Sequence, residues 1–422
     1  MKILYVSQYY PPEMGAPSAR ASELGKHWVS MGHQPTVLTG FPNHPNGRVP
    51  PEWRSRFRRL RFREAVDGVN ITRTWLLPLP NRKSIERALN YSSFCLSACL
   101  TGSTMPKPDV VIGTSPQLLV GLSAWWIARL KRVPFIFEVR DLWPESLVAV
   151  GAGGASSLLH RVLGRIAGFL YRHSDHIVVV TPAFKDYLIK NWSVPEEKIS
   201  IVENGVETDL FRPESCVENS ELGASQKFRV CYIGTLGWAH GLDTLVQAAA
   251  ELQSCAPEVD FLLVGEGADK DRIKALAHEQ GLSNISFIDQ VPRERIPKII
   301  QQSDICLVLL RKTDVFKTVI PTKMLEYMSC SRPVLLGVDG QARSILEEAG
   351  GGVYVEPENA NALANAILDL RTHPELCEQF GKNNRRYILA KFSRQKTAER
   401  YIEVLERFVG HPQQDQTPVL TS

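Results

Sequence analysis

Short apolar runs recur along the chain, each ending in a polar, Gly- or Pro-bearing stretch and followed by a segment of helical period. KILYVSQYYPPEMGAPSARASELGKHWVSMGHQPTVLTG (2–40) holds a strand, a Pro/Gly loop, an amphipathic helix and a second strand. PDVVIGTSP (108–116), VPFIFEVRDLWPE (133–145) and SDHIVVVTP (174–182) repeat the strand plan with helical segments between them. Strand-then-helix repetition predicts a doubly wound parallel sheet. KISIVENGVETDLFRP (198–213) runs strand, Asn-Gly turn and Pro-closed loop, and the composition then shifts to SCVENSELGASQK, which marks a domain boundary. The alternation restarts in FRVCYIGTLGWAHGLDTLVQAAAEL (228–252) and VDFLLVGEGADKDRIKALAHEQGL (259–282), with further strands in ISFIDQVP and SDICLVLL. VFKTVIPTKMLEYMSCSRPVLL (315–336) predicts a polar loop, a short amphipathic helix with Leu325 and Met328 on its apolar face, and a buried strand. GGGVYVEPEN (350–359) adds a strand and loop, NALANAILDLR a helix, and FSRQKTAERYIEVLERFV (392–409) a last helix. The polar tail GHPQQDQTPVLTS is expected to be disordered.

A chain of 422 residues exceeds one ordinary core, so two units are expected, 1–205 and 206–392, with residues 410–422 as a tail. Apolar content of 44% and charged content of 22% describe a soluble globular protein. The net charge of +4 hides an asymmetry: residues 1–200 carry 25 Lys+Arg and 14 Asp+Glu (25 − 14 = +11), and residues 201–422 carry 24 and 31 (24 − 31 = −7). A basic half is compatible with an anionic membrane surface, a nucleic acid, a phosphorylated substrate or scattered solvated arginines. The eight cysteines contain no C-x-x-C pair, which fits a reduced, cytoplasmic compartment. ILYVS directly after Met1-Lys2 is too short for a signal peptide's apolar region, so export from this end is not expected. The longest apolar runs, such as LLVGLSAWWIARL, fall short of the roughly 18 residues that a spanning helix requires.

Candidate chemistry concentrates at strand ends. Pro321 and Thr322 start a helix whose first turn carries Lys323, so a cation and free backbone N–H groups stand where a phosphate is stabilised. Glu326, about one turn deeper, offers acceptor oxygens suited to a ribose; the plainer reading is a solvated Lys and Glu on a surface helix. The loop from Gln8 to Arg20, with Gly15 before its helix, lies where an open α/β sheet binds ligands, unless it is only a Pro-rich turn. Gly234, Gly237 and Gly241 after one strand, and Gly265 and Gly267 after another, are candidate phosphate loops. Glu138, Arg140, Asp141 and Glu145 cluster at a strand end, where a carboxylate can take or orient an acceptor proton, or where Arg140 forms a structural ion pair. RSRFRRLRFRE (Arg54 to Glu64) sets Arg54, Arg56, Arg58 and Arg59 among Phe57 and Phe62, a candidate contact with anionic lipid worth about 1 kcal/mol per arginine. A solvated face or a nucleic-acid patch would look the same. Residues 85–105 form a second membrane-surface candidate or a buried helix.

QYYPPEMGAPSAR, VENGVETDLFRP, YIGTLGWAHGLDTLVQAAAEL, LLVGEG and PTKMLEYMSCSRPVL together resemble a family 4 glycosyltransferase of the GT-B type over nearly the whole chain. EVRDLWPES, IGTSPQ and PTKMLEYM resemble more narrowly its bacterial surface-polysaccharide branch of WbuB-like N-acetyl-L-fucosamine transferases and colanic acid enzymes. The resemblance implies two doubly wound Rossmann-like domains with a cleft between them and a last helix, 393–409, that crosses back to the N-terminal domain. It implies a UDP-sugar donor held by Gly15, Asn204, Gly234, Thr235, Glu266, Pro321, Thr322, Lys323 and Glu326. Ribose would lie on Glu326 and diphosphate near Gly234, Thr235 and Lys323. The acceptor, an undecaprenyl-diphosphate-linked saccharide, would lie on the N-terminal domain against the inner face of the cytoplasmic membrane. Asp141 would handle or orient the acceptor proton, with Arg140, Glu138 and Lys323 beside the reaction. Retaining transfer is implied, with no cofactor, no metal and no nucleic-acid partner.

The chain departs from the family pattern in three places. The first of two glutamates spaced eight positions apart is Thr318; the usual Arg and Lys of the Gly-rich loop give way to Trp238 and His240, leaving Lys323 to act with Arg311 or Lys312; and Arg140-Asp141 stands where many members have His. Two other classes compete: a GT-B-shaped UDP-sugar epimerase, and a non-catalytic nucleotide-sugar or nucleic-acid binder for which Arg54–Arg63 is the best feature.

Overall fold

The computed structural model describes residues 1–44, 46–80, 84–146, 158–213 and 227–409. The stretch SCVENSELGASQ and the tail 410–422 lie outside them. Among the described residues, one sheet has eight strands: β1 (Lys2–Val6), β2 (Gln34–Gly40), β3 (Arg61–Val66), β4 (Val69–Thr74), β5 (Val110–Thr114), β6 (Phe135–Val139), β7 (His176–Val179) and β8 (Ile199–Ile201). Their order is β3-β4-β2-β1-β5-β6-β7-β8, parallel throughout except for the antiparallel β3–β4 pair. A parallel sheet must be covered on both faces, and successive side chains divide between them. Ile3 and Tyr5 pack with Leu24, Trp28 and Tyr401, while Leu4 and Val6 face Phe94, Ile127 and Leu170.

The second sheet joins β9 (Phe228–Ile233), β10 (Val259–Val264), β11 (Ile285–Ile288), β12 (Ile305–Leu309), β13 (Val334–Gly337) and β14 (Gly352–Tyr354) in the order β11-β10-β9-β12-β13-β14, all parallel. The strand order reverses between β1 and β5 in the first sheet and between β9 and β12 in the second. Loops leaving the carboxyl ends of such neighbours diverge and open a crevice. Thr181, just beyond β7, donates from Oγ1 to the Thr318 carbonyl beyond β12 at 2.9 Å, so the carboxyl ends of the two sheets confront each other.

Two chain passages connect the bodies side by side. Val206 forms a parallel bridge with Ser393: its amide donates to the Phe392 carbonyl and its carbonyl accepts from the Arg394 amide. From there the Arg394–Glu406 helix lies on the first sheet's side of the molecule, where the Trp28 indole donates to the Ala398 carbonyl and meets the Tyr401 ring edge-on.

The sequence pattern missed several elements, among them the β3–β4 hairpin and the helices Gln341–Ala349 and Pro374–Lys391. Arg61–Val66 is an edge strand, turned back on β4 through Asp67 and Gly68, both at positive φ. Asp-Gly between alternating residues is a two-residue hairpin signal. The 18-residue helix Pro374–Lys391, polar over much of its surface, packs Ile388 and Asn384 under the second sheet. The helix expected to be amphipathic, Thr322–Ser329, is instead buried at every position from Met324 to Ser329.

Candidate active site

In the second body, Gly234 follows β9 with φ +139, and Lys323 stands in the first turn of the Thr322–Ser329 helix beside it. The Lys323 ammonium lies 2.8 Å from where a Cβ on Gly234 would sit, and 3.6 Å from the centroid of the Tyr232 ring. Its nitrogen is buried and has no hydrogen-bond acceptor among the described residues. Burial pushes this ammonium down to about 7, against the pull of Glu326. Tyr327 fixes the same helix to β9, its hydroxyl accepting from the Ile233 amide and donating to the Ile233 carbonyl. Pro321 is the N-cap and offers no side-chain cap; the Met324 amide donates to the Pro321 carbonyl, which leaves the Thr322 and Lys323 amides ahead of it for another acceptor. An unpaired buried cation, free amides and a residue without a side chain make a site for an anion.

Glu326 is buried on the same helix and accepts at Oε1 from Arg293 Nη1 at 2.8 Å. Burial raises its carboxyl pKa, and Arg293 opposes that shift. Thr235 is exposed at the mouth of the β9 loop. Thr318, where the family pattern has a glutamate, bonds its hydroxyl to the Val315 carbonyl.

Several expected phosphate partners are engaged elsewhere. Arg311 bonds the Trp238 carbonyl, Glu358 and Asp243, and Lys312 pairs with Glu356. His240 is pushed down to about 3 by burial, with Lys323 adding to the shift, so it is neutral. Glu266 accepts from Lys270 at 2.6 Å. Gly265, at φ +143, serves loop packing, because a Cβ there would overlap the Gly234 carbonyl oxygen. Asp269 and Asp271 share an Asp-x-Asp spacing, but both oxygens of the fully buried Asp269 accept from Arg272.

On the first body, Glu138 requires correction as a catalytic candidate. It is fully buried in β6, and its carboxylate accepts from Arg20 Nε and Nη2, the Tyr5 hydroxyl and the Thr114 hydroxyl. Burial works against its charge, yet Arg20 and Arg140 hold the carboxyl below its usual range. All of its oxygens are committed, which makes it a structural anchor. Arg20 also donates to Asn204 Oδ1 at 3.1 Å, tying the domain junction to this anchor.

Arg140 and Asp141, immediately past β6, remain at the crevice. The Arg140 amide donates to Ser115 Oγ, and its Nε and Nη1 are buried without partners among the described residues. Burial raises Asp141 to about 6, with Arg140 opposing. Gly15 is the N-cap of the Ala16–Ser30 helix, facing the crevice at the β1 carboxyl end. Glu13, which sequence reasoning passed over, is buried in the same loop and accepts from the Asn43 and His44 amides, with burial raising it to about 7.

The basic segment lies at the sheet's edge, where Glu64 pairs with Arg73, which also donates to the Pro11 carbonyl of the Gln8–Arg20 loop. Phe57 meets Phe41, Phe62 meets Trp53, and Arg56 lies over the Trp53 and Phe62 rings, so these aromatics pack into the protein rather than standing free. Arg54, Arg58 and Arg59 are exposed. Arg61 bonds Thr104 and so ties this segment to the end of the Ser84–Ser103 helix. That helix buries Asn90, Phe94 and Ala98 and exposes Ile85, Leu89, Leu96 and Leu100, the last 74% exposed. At helical spacing these four project within about 60° of one another. No helix among the described residues is long and apolar enough to cross a membrane.

Two sequence profiles cover most of the chain: "Glycosyl transferase 4-like domain" matches residues 15–205 and "Glycosyl transferases group 1" matches residues 218–387. The chain is 22% identical over 382 residues to WcaI of Escherichia coli (strain K12), named for colanic acid biosynthesis, covering 87% of this chain and 91% of that one. Its fold matches the sucrose-phosphate synthase of Thermosynechococcus elongatus with a TM-score of 0.75 at 19% identity, over 96% of this chain and 98% of that one. Anabaena Alr3699/HepE in complex with UDP-glucose matches with a TM-score of 0.70 at 17% identity, over 96% and 100% of the respective chains.

Proposed function

The chain belongs to the glycosyltransferases that join a 4-like domain to a group 1 domain in the GT-B architecture, and on that premise we propose that it moves a sugar from a UDP-sugar to a lipid-linked saccharide. The carrying observation is the Lys323 ammonium, buried between the Gly234 loop and the Tyr232 ring without an acceptor among the described residues. Nucleotide diphosphate would supply its missing anion, and Glu326, one turn deeper, would accept from the ribose hydroxyls. HepE, similar along its whole length, holds UDP-glucose in its own structure, which supports UDP as the carrier. Resemblance to the surface-polysaccharide branch favours an N-acetylhexosamine such as N-acetyl-L-fucosamine, and an undecaprenyl-diphosphate-linked acceptor in O-antigen, capsule or exopolysaccharide synthesis.

In this reading the bond from the anomeric carbon to the phosphate oxygen breaks while the bond to the acceptor oxygen forms, with retention and without metal. Charge growing on the leaving diphosphate is stabilised by Lys323 and the helix amides in a crevice poor in water. Asp141 orients the acceptor hydroxyl, whose proton passes to the leaving phosphate oxygen, and Arg140 turns its unpartnered nitrogens to the acceptor's phosphates. The exposed Ile85, Leu89, Leu96 and Leu100 of the Ser84–Ser103 helix, together with the exposed Arg54, Arg58 and Arg59 of the segment that Arg61 ties to the end of that helix, would seat the N-terminal domain on the inner face of the cytoplasmic membrane.

UDP release from a panel of UDP-N-acetylhexosamines, measured with and without undecaprenyl-diphosphate-linked saccharide, tests this function. Release that depends on acceptor is expected. UDP-sugar turnover indifferent to acceptor would favour an epimerase, and salt-sensitive RNA binding without any UDP release would favour a binder.

A further inference from the structure

One chain of charge runs from Glu326 to the junction between the two bodies. Arg293, just beyond β11, donates from Nη1 to Glu326 Oε1 and from Nη2 to Glu23 Oε1, each at 2.8 Å. Glu23 belongs to the Ala16–Ser30 helix of the other body, and its second oxygen accepts from Arg394 Nε at 2.8 Å. Arg394 begins the returning helix and donates its amide to the Val206 carbonyl, where the two chain passages lie side by side. The Arg293 guanidinium is further held over the Phe211 ring, 4.9 Å from its centroid. All four charged side chains are at least three-quarters buried.

We propose that Arg293 is a positioning residue for the nucleotide donor, and that Glu23 sets it from the opposite domain, so that Glu326 is correctly held only when the two domains are together. The inference rests on Glu326 being the ribose acceptor, as argued above. Geometry supplies the reason. A guanidinium is a planar fork with separate nitrogens for two carboxylates, and a lysine at the same place would be a point charge without that fixed bidentate geometry. Glu23 supplies the second anchor that stops Arg293 from swinging with Glu326 into the crevice. Separation of the domains would remove that anchor and leave Glu326 and Arg293 free to turn together. Donor binding and domain closure are thereby coupled, because a ligand that needs Glu326 in place favours the state in which Glu23 is engaged.

The test is calorimetric titration of the full chain with UDP, using Glu326→Ala, Glu23→Gln, Arg293→Lys, Arg293→Ala and the double variant Glu23→Gln/Arg293→Ala. Glu23→Gln keeps the size and an acceptor oxygen, so the fold is retained, yet UDP affinity should fall about tenfold, as for loss of a hydrogen bond to a charged group. Arg293→Lys should fall similarly, and Glu23→Gln should add nothing once Arg293 is alanine, because Glu23 acts through it. Full affinity in Glu23→Gln, or a loss of the same size in both backgrounds, overturns the proposal. Wild-type affinity in Glu326→Ala would instead overturn the donor site itself, so the two failures are distinguishable.

Discussion

Replacing Lys323 by methionine should stabilise the protein and weaken its hold on UDP, a pairing of opposite signs that few other roles for a lysine would give. The side chain keeps its length and its apolar contacts, while the charge buried over Tyr232 is removed. The ammonium titrates at about 7 in the folded chain against an ordinary value of 10.5. Between those values the unfolded chain holds the proton and the folded chain does not, so stability rises with pH across that window. At pH 7 the deficit amounts to about 4 kcal/mol. Part of it returns on substitution, because the folded site relaxes around methionine; a gain of about 2 kcal/mol is expected. Thermal unfolding of the full chain at pH 7 without ligand should therefore shift up by about 2 °C. Calorimetric titration should show UDP affinity reduced roughly thirtyfold, the loss of a charge-assisted contact. The wild type should also take up about nine tenths of a proton on binding UDP at pH 8, seen as a dependence of the binding heat on buffer, and Lys323→Met should not. A destabilised variant with unchanged UDP affinity would refute the reasoning, since the lysine would then be a packing residue whose charge has another partner.

Other consequences can be measured separately. Glu138→Gln should destabilise the chain by about 3–5 kcal/mol in denaturant titration, because Arg20 loses its buried partner, whereas Asp141→Asn, which removes a carboxylate that burial disfavours, should raise stability at pH 7 and lower turnover. With Asp141 required as the carboxylate and raised to about 6, turnover should fall as pH drops through about 6, and Asp141→Asn should abolish that limb of the rate profile. Glu326 is faced by Arg293, Glu23, Arg394, Lys323 and Cys330; without the Arg293 cation its raised carboxyl is raised further, so UDP binding by Arg293→Ala should begin to fail at a higher pH than in the wild type. Leu96→Glu with Leu100→Glu should leave UDP affinity intact and abolish sedimentation with vesicles of anionic phospholipid.

Much of the architecture was legible because buried parallel strands write themselves as apolar runs with Gly, Pro or polar residues at their carboxyl ends. That pattern located all six strands of the second sheet and the helix carrying Lys323 and Glu326. Side-chain partnerships were not legible. Glu138 and Asp141 stand three residues apart on one strand end, and only the fold shows that the first points under the sheet to Arg20 while the second stays at the crevice. Arg311 and Lys312 look as available as Lys323 in the sequence, yet Glu358, Asp243 and Glu356 occupy them because the segments that follow β9, β12 and β14 meet beyond the same edge of the sheet. Arg293 and Glu23 are 270 positions apart, and no local spacing could join them. The Asp-Gly turn before β4 was readable, but six arginines in eleven positions drew attention to charge instead of to the hairpin.

The most direct measurement follows labelled sugar from a UDP-N-acetylhexosamine into an undecaprenyl-diphosphate-linked saccharide, comparing the wild type with Lys323→Ala and Glu326→Ala. Acceptor-dependent transfer by the wild type, with both variants slowed by about tenfold or more, is the predicted result. Undiminished transfer by both variants would contradict the account, because the leaving diphosphate and the ribose would then be held elsewhere.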